Sequence, residues 1–282
     1  MNYKWQINSN NSEPIKMKFN LTPIGVIVII AAMSACGPSQ SELASQKIRI
    51  SESLLAKGDT LNSLMNLDSI PKLFPQAGSE LNKAVMISNR IRTSLLLNQR
   101  DKLAAAKAII ATLIKEFKPE KGEFEKYTIY IPNRQVFDKS WSRSFVQVYV
   151  NEKGDLSLAS NYYGERWLNH TSLKIIGPLQ TVKTDSVPIE NILNRHSDFG
   201  GSVWEKVTYR GKQADLVIGM IASNWDKKLK AVFTDSGKNT YIMWLEDYDK
   251  KAIKDSYELS KALKVKFETE KRIRMLERKI KS

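Results

Sequence analysis

Cysteine and histidine are almost missing from this sequence. The chain of 282 residues has one cysteine, Cys36, and two histidines, His170 and His196. A single cysteine excludes an intramolecular disulfide, so the fold must depend on its apolar core. A zinc site needs three or four well-spaced ligands, which two histidines without a free cysteine do not supply. We therefore expect no metal, and we interpret both histidines as ordinary loop residues.

Signatures of catalysis are missing as well. The sequence contains no HExxH, GxSxG, phosphate-binding loop or dinucleotide-binding motif. A Ser-His-Asp system would also need its nucleophile in a recognisable turn, and none is evident. We therefore predict a protein that is not an enzyme and that carries no cofactor.

No apolar run is long enough to cross a membrane. The run at residues 21–33 has 13 residues, whereas a spanning helix needs about 20. Lysines precede it and small residues follow it, a pattern typical of a secretory signal peptide at residues 1–35. Residues 1–16 are polar and fit no signal peptide, so we expect translation to begin at Met17.

The sequence "MSAC" at residues 33–36 resembles the bacterial lipobox, where type II signal peptides are cleaved. Met33 departs from the pattern, because the family prefers Leu, Val or Ile there. The resemblance implies a lipoprotein in which the thiol of Cys36 carries a diacylglyceryl group and cleavage occurs before it. Two or three acyl chains, palmitate among them, hold a protein stably on a membrane. Residues 36–42 would then form an acylated polar tether.

This resemblance also implies a location. The protein would be anchored to a bacterial membrane by acyl chains on Cys36 and face the extracytoplasmic side. Gly37 after the cysteine resembles outer-membrane sorting in enteric-type bacteria, which predicts an outer-membrane, periplasm-facing protein in a Gram-negative host.

Basic residues are in excess. Forty-four Lys and Arg stand against 30 Asp and Glu, for a net charge of +14. A surplus of this size indicates an anionic partner or surface. Nucleic acid is the usual partner of such charge, but export argues against it. We therefore expect an anionic polymer or glycolipid of the cell envelope.

Residues 43–120 have a helical period. Apolar residues recur at four- and seven-residue steps, Gly58 suits the end of a helix, and Asp59 or Thr60 suits the start of the next. We predict a loop at residues 68–79 and further helices at residues 80–98 and 101–117. Similar segments begin at Ile50 and Ile91, so a plain helical bundle or coiled-coil stalk and paired hairpins resembling tetratricopeptide repeats both remain open.

The period changes to two after residue 124. Short runs rich in β-branched and aromatic residues predict an antiparallel β-sandwich or jelly roll over residues 124–247. The predicted strands are 127–131, 144–150, 155–163, 172–176, 203–209, 215–223, 228–234 and 240–245. Glycine loops at 151–155 and 235–239 are typical of hairpins.

A basic amphipathic helix is predicted at residues 249–282, with 12 basic and 6 acidic residues. It would either pack on the N-terminal helices or lie on an anionic surface. The predicted fold class is therefore α+β: an α-helical N-terminal region, a sandwich and a long basic C-terminal helix.

Aromatic residues supply the candidate binding site. The segment "SNYYGERWLNH" at residues 160–170 places Tyr162, Tyr163, Arg166 and Trp167 around a glycine. Aromatic rings beside polar groups suit sugars, whose C–H faces stack while their hydroxyls form hydrogen bonds. Trp204 and Trp244 alternate with polar neighbours, and we assign both to the sandwich core.

The leading functional interpretation is a non-enzymatic interaction or scaffold module of the cell envelope, with a protein partner held by the helices. The alternative is a carbohydrate-binding lipoprotein that uses the aromatics of the sandwich. A third interpretation is a hydrolase with paired carboxylates, for which Glu165, Asp198 and Asp226 are candidates.

The lipid anchor is directly testable. Cys36→Ser removes the only thiol that can be acylated, so the protein should leave the membrane fraction and appear in the soluble fraction. Fractionation of cells followed by immunoblotting measures this. Sedimentation of the variant with membranes to the same extent as the unaltered protein would contradict the anchor.

Overall fold

The computed structural model describes residues 37–123, 126–237 and 239–281. The predicted signal peptide and Cys36 lie outside these residues. Within them, the helices are α1 (Gln40–Ala56), α2 (Thr60–Leu73), α3 (Ser79–Leu113), α4 (Phe137–Ser140), α5 (Lys212–Ser223) and α6 (Asp247–Lys281). A 3-10 turn follows α3 at Ile114–Glu116.

The strands described are β1 (Phe117–Glu120), β2 (Ile129–Pro132), β3 (Phe145–Asn151), β4 (Leu156–Gly164), β5 (Ser172–Ile176), β6 (Thr181–Lys183), β7 (Asn194–Phe199), β8 (Ser202–Tyr209), β9 (Lys230–Thr234) and β10 (Thr240–Trp244). Helices at both ends enclose a middle rich in antiparallel sheet. The predicted α+β class is therefore confirmed.

The boundary between the first two helices lies where Gly58 and Asp59 predict it, whereas α1 begins at Gln40, three residues before the helical period was expected to start. Ser39 and Glu42 form a reciprocal capping box at the start of α1. Gly58 follows α1 with a φ of 82°, a conformation that costs glycine little. The side chain of Asp59 then accepts a hydrogen bond from the backbone N–H of Asn62 and caps α2.

The predicted interruptions of the next helices are wrong. The α2 helix continues through Pro71 to Leu73, so residues 68–73 are not a loop. The α3 helix is continuous from Ser79 to Leu113, although a break was expected after Asn98. The second of the two similar segments lacks a glycine equivalent to Gly58, so nothing there stops the helix. The two segments are consequently not two copies of a hairpin.

Two antiparallel sheets form the middle of the chain. Among the described residues, one sheet has six strands in the order β1-β2-β3-β4-β8-β7, and the other has four in the order β10-β9-β5-β6. The strands β1, β6 and β7 had not been predicted. The inward faces share one core with α5 and the start of α6, in which Val148, Leu158, Ile175 and Phe233 are completely buried.

The segment predicted as a strand at residues 215–223 is helix α5. Its apolar run "LVIGMIA" fits a buried strand and a buried helix equally well. Val217, Ile218 and Ile221 are completely buried, and the helix contacts β4, β5 and β6. The tertiary environment, not the local pattern, decides this element.

The long helices α3 and α6 pack antiparallel and join the two ends of the molecule. Arg100 of α3 pairs with Glu277 near the end of α6 at 3.0 Å. Leu259 and Leu263 of α6 share a second core with Phe117 at the far end of α3. The packed interpretation of the C-terminal helix is confirmed. No helix within the described ranges is long and apolar enough to cross a bilayer.

The start of α1 lies at the end remote from the sheets. Gln40 accepts a hydrogen bond from the backbone N–H of Gln76, and Ser41 donates one to Glu80 at the start of α3. At 1.5 Å per residue, the 35 residues of α3 extend for about 50 Å. The helices therefore separate the N-terminal end of the described chain from the sheets.

The β3–β4 hairpin is fitted closely to α6. Gly154 has a φ of 90°, as expected for the predicted loop, and a Cβ atom there would lie 2.6 Å from the carbonyl oxygen of Ser260. The hydroxyl of Ser260 donates to the carbonyl of Gly154 at 2.6 Å. Glycine is therefore required both by the turn and by the helix that crosses it.

Candidate functional site

The outer face of the six-stranded sheet, on the side away from the shared core, carries a groove of about 810 Å³. One wall is α4 with the residues that follow it, and the other is the β7–β8 hairpin. The lining on the floor includes Ile131, Phe145, Gln147, Asn161 and Lys206. The volume lies in the range of small-molecule sites.

Aromatic rings cover both walls of the groove. The rings of Trp141 and Trp204 stack with centroids 6.3 Å apart, and Tyr163 packs against Trp204 at 5.2 Å. The indole N–H of Trp204 donates to the backbone carbonyl of Trp141. Phe137 and Phe199 are 77% and 83% exposed at the rim. This much apolar ring surface in contact with water is typical of an interaction site.

Gln135, one of the residues that line this groove, has a side-chain oxygen without a partner. Its side-chain nitrogen donates to the carbonyl of Val146 at 3.0 Å and to Asp249 at 2.7 Å. Both amide hydrogens are thus committed, which fixes the orientation of the amide. Its Oε1 atom is buried and has no hydrogen-bond partner among the described residues. Buried polar atoms are usually paired, so this oxygen is a candidate acceptor for a ligand.

A complementary donor and a cation line the same groove. The Nδ2 atom of Asn161 is buried and has no partner among the described residues. The ammonium of Lys206 contacts the neutral side chain of Gln147 at 3.3 Å. Desolvation lowers the pKa of Lys206, and the charge of Arg195 lowers it further. The groove therefore offers an acceptor, a donor and a cation beside exposed rings.

Arg143 and Asp249 support the wall of the groove. They form a bidentate pair, with distances of 2.6 and 2.9 Å, and Asp249 is completely buried. Desolvation alone would lower the pKa of Arg143, but its hydrogen bonds to Asp249 outweigh this and raise the pKa. Because Arg143 is bound to the buried carboxylate of Asp249, we assign it a supporting role and not a binding one.

The four residues predicted as a ligand site do not share one surface. Tyr163 faces outward and adjoins the groove through Trp204, whereas Tyr162 borders the groove but packs its ring into the core against Tyr241. Trp167 is 41% exposed and stacks on His196 at 5.2 Å. Arg166 is exposed, and its carbonyl accepts a hydrogen bond from Tyr162.

The prediction that Trp204 and Trp244 fill the core is wrong. Both occupy outward-facing positions of their strands; Trp204 is half-buried, and Trp244 is 58% exposed. The candidate carboxylates are on separate segments, and of the three only Asp198 lines the groove.

His170 lies in the loop between β4 and β5, as predicted, but it is completely buried and forms the centre of a hydrogen-bond network. Its Nδ1 lies 2.6 Å from Glu205, and its Nε2 lies 2.7 Å from the hydroxyl of Ser160. The hydroxyl of Tyr209 contacts Ser160 at 2.9 Å. These four side chains are 0–2% exposed. A neutral imidazole that donates from Nδ1 to the carboxylate and accepts from Ser160 satisfies every group.

The distances in this network resemble those of a nucleophile–base–acid triad, but a substrate cannot reach its serine. A catalytic serine must reach a substrate, whereas Ser160 is completely buried on the inward face of β4. Glu205 also accepts hydrogen bonds from the backbone N–H groups of Leu168, Asn169 and His170. The arrangement therefore holds the β4–β5 connection against β8. No group of three or more potential metal ligands occurs in the part of the chain that the structure describes.

No known protein family, no curated protein and no solved structure matches this chain. Its function must therefore be inferred from its own residues.

Glu205→Gln should destabilise the fold. Every orientation of the new amide places an N–H against a donor, so we expect a loss of about 3 kcal/mol in the free energy of unfolding. Burial raises the pKa of Glu205, but hydrogen bonds from His170 and the backbone outweigh it and leave the pKa below its ordinary value of 4.5. Its stabilisation is thus present at neutral pH and is lost as the pH falls from about 4.5 through the folded pKa.

Urea unfolding at pH 7 and at pH 4 measures both effects. The variant should lose less stability between these pH values than the unaltered protein does. Glu165→Gln, in the exposed turn after β4, is the control and should change stability by less than about 0.5 kcal/mol. Equal effects of the two substitutions would rule out the network as a stabilising element.

Proposed function

We propose that this chain is a lipid-anchored, non-enzymatic binding module of a bacterial cell envelope, and that the groove on its six-stranded sheet binds a saccharide. The anchor rests on the lipobox resemblance at Cys36. The ligand class rests on the chemistry of the groove.

One observation carries the proposal: a buried acceptor and a buried donor, Gln135 Oε1 and Asn161 Nδ2, both lack partners in a groove lined by aromatic rings. Sugar hydroxyls donate and accept hydrogen bonds at once, so they can satisfy both types of group. Leaving such groups unpaired costs about 1–3 kcal/mol each. A ligand that pairs them recovers this energy.

The exposed aromatic rings suit the apolar C–H faces of a sugar, as the amide groups suit its hydroxyls. The apolar C–H face of a pyranose packs on a flat aromatic surface, and Trp141, which is 49% exposed, presents such a surface beside Trp204. Amide groups between aromatic walls favour this chemistry over a purely apolar ligand, which would leave Gln135 and Asn161 unpaired.

The helices would act as a spacer in this arrangement. The N-terminal end of the described chain lies with the start of α3, about 50 Å along the helix from the sheets. A tether of a few residues would then hold the groove well away from the membrane surface. Such a spacer would let the groove reach saccharides that lie beyond the membrane surface.

A protein partner held by the helices is the second candidate. Leu61 and Met65 lie one turn apart on α2 and are 71% and 62% exposed. Other apolar side chains of the helices are exposed too, among them Ile50, Met86 and Leu97. Among the described residues, however, the two buried side-chain polar atoms that lack a partner both belong to residues lining the groove. The groove therefore supports the saccharide function better.

Substitutions in the groove test the saccharide function. Trp141→Ala should weaken binding on a glycan array by about tenfold, since it removes the stacking surface. Asn161→Leu should abolish binding and leave the thermal midpoint unchanged or higher, because it replaces an unpaired buried donor with an apolar group of similar size.

Trp225→Ala is the matched control, since Trp225 is also partly exposed but does not line the groove. It should bind like the unaltered protein. Absence of any glycan binding by the unaltered protein, or equal binding by the unaltered protein and Asn161→Leu, would reject the proposed function.

A further inference from the structure

The outer face of the four-stranded sheet is a second, chemically distinct surface. It lies on the opposite side of the shared core from the groove, because the inward residues of both sheets meet in that core. The alternation of each strand and the pairing register place the outward residues in rows across the sheet. These residues are Thr240, Ile242, Trp244, Lys230, Val232, Thr234, Ser172, Lys174, Ile176, Thr181 and Lys183.

The charged residues of this face all have the same sign. Its lysines are Lys174, Lys183 and Lys230, and none of the outward residues described on the four strands is acidic. Lys174 and Lys183 are direct partners across β5 and β6, with Cβ atoms expected about 5 Å apart. Like charges in this position destabilise a sheet. Within the described residues, neither lysine forms an ion pair.

An exposed aromatic ring adjoins one of these lysines, Lys230. Trp244 is 58% exposed on the edge strand β10, and the ammonium of Lys230 lies 4.9 Å from the centre of its ring. Ile242 on the same strand is 57% exposed. The face therefore combines three lysines with an exposed ring surface.

We propose that the outer face of the four-stranded sheet binds an acidic polysaccharide, with Lys174 and Lys183 on its carboxylates and Trp244 against a sugar ring. An anionic group bound between Lys174 and Lys183 would offset the repulsion of the two ammonium groups. It would supply the negative charge that the outward residues of this sheet lack. An acidic polysaccharide presents carboxylates together with C–H ring faces, so it satisfies both features of this surface.

The position of the face favours a polymer over the anchoring bilayer. The sheets lie at the opposite end of α3 and α6 from the start of α1. This step alone rests on the proposed lipid anchor at Cys36. The chemical match between the face and the polymer depends neither on the anchor nor on the groove.

Binding to polygalacturonate, which carries one carboxylate per sugar, tests the proposal. The full chain in a non-ionic detergent should bind polygalacturonate, fail to bind neutral dextran, and lose affinity as salt is raised. Lys174→Gln combined with Lys183→Gln should weaken binding by about tenfold. Lys102→Gln combined with Lys107→Gln, two exposed lysines of α3, is the control of equal charge and should weaken it by less than about twofold.

A second pair of variants, Trp244→Ala and its control Trp225→Ala, tests the role of the aromatic ring. Trp244→Ala should weaken binding, whereas Trp225→Ala, whose ring also lies beneath a lysine at 4.4 Å, should leave it unchanged. Trp141→Ala should also leave it unchanged, which separates this face from the groove. Equal losses in the two lysine pairs, no binding by the unaltered chain, or equal affinity for phosphatidylglycerol vesicles would overturn the proposal.

Discussion

The buried carboxylate of Asp249 connects the fold to the candidate site. At the first turn of α6, it accepts two hydrogen bonds from Arg143 and one from Gln135, and it is completely shielded from water. A buried charge is tolerable only when it is paired in this way. The same contacts fix the start of the long helix against the sheet and orient the amide of Gln135, whose oxygen has no partner among the described residues. The groove and the helix are thus built from one set of interactions.

The α6 helix connects the other parts of the molecule. The helix closes the core between the sheets with Ile253, contacts the end of α3 through Leu259, and continues antiparallel to α3 as far as Glu277. Most lysines and arginines of α6 lie on the side of this helix pair that faces solvent. Two open sheet faces remain at one end of the molecule and the N-terminal end of the described chain at the other. This separation suits a receptor held on a membrane by its N-terminus.

Local signals in the sequence were sufficient for much of the fold. Capping at Gly58 and Asp59 and the alternation along β3, β4 and β9 predict elements correctly, because those preferences are satisfied by near neighbours. Elements decided by distant contacts were missed: α5 reads as a strand, and the polar strand β7 carries no apolar alternation. The aromatics of the β region pointed to a binding surface, but Gln135 gave no signal. Its role depends on Asp249, 114 residues further along the chain.

The most direct test of the saccharide groove is the NMR response of side-chain N–H groups to a bound glycan. A titration of the full chain with the tightest ligand from a glycan array should shift the side-chain amide of Asn161 and the indole N–H of Trp204. The indole of Trp225, outside the groove, should not move. Shifts at Trp225 or Trp244 with no change at Asn161 would contradict the account, because they would place the sugar on another surface.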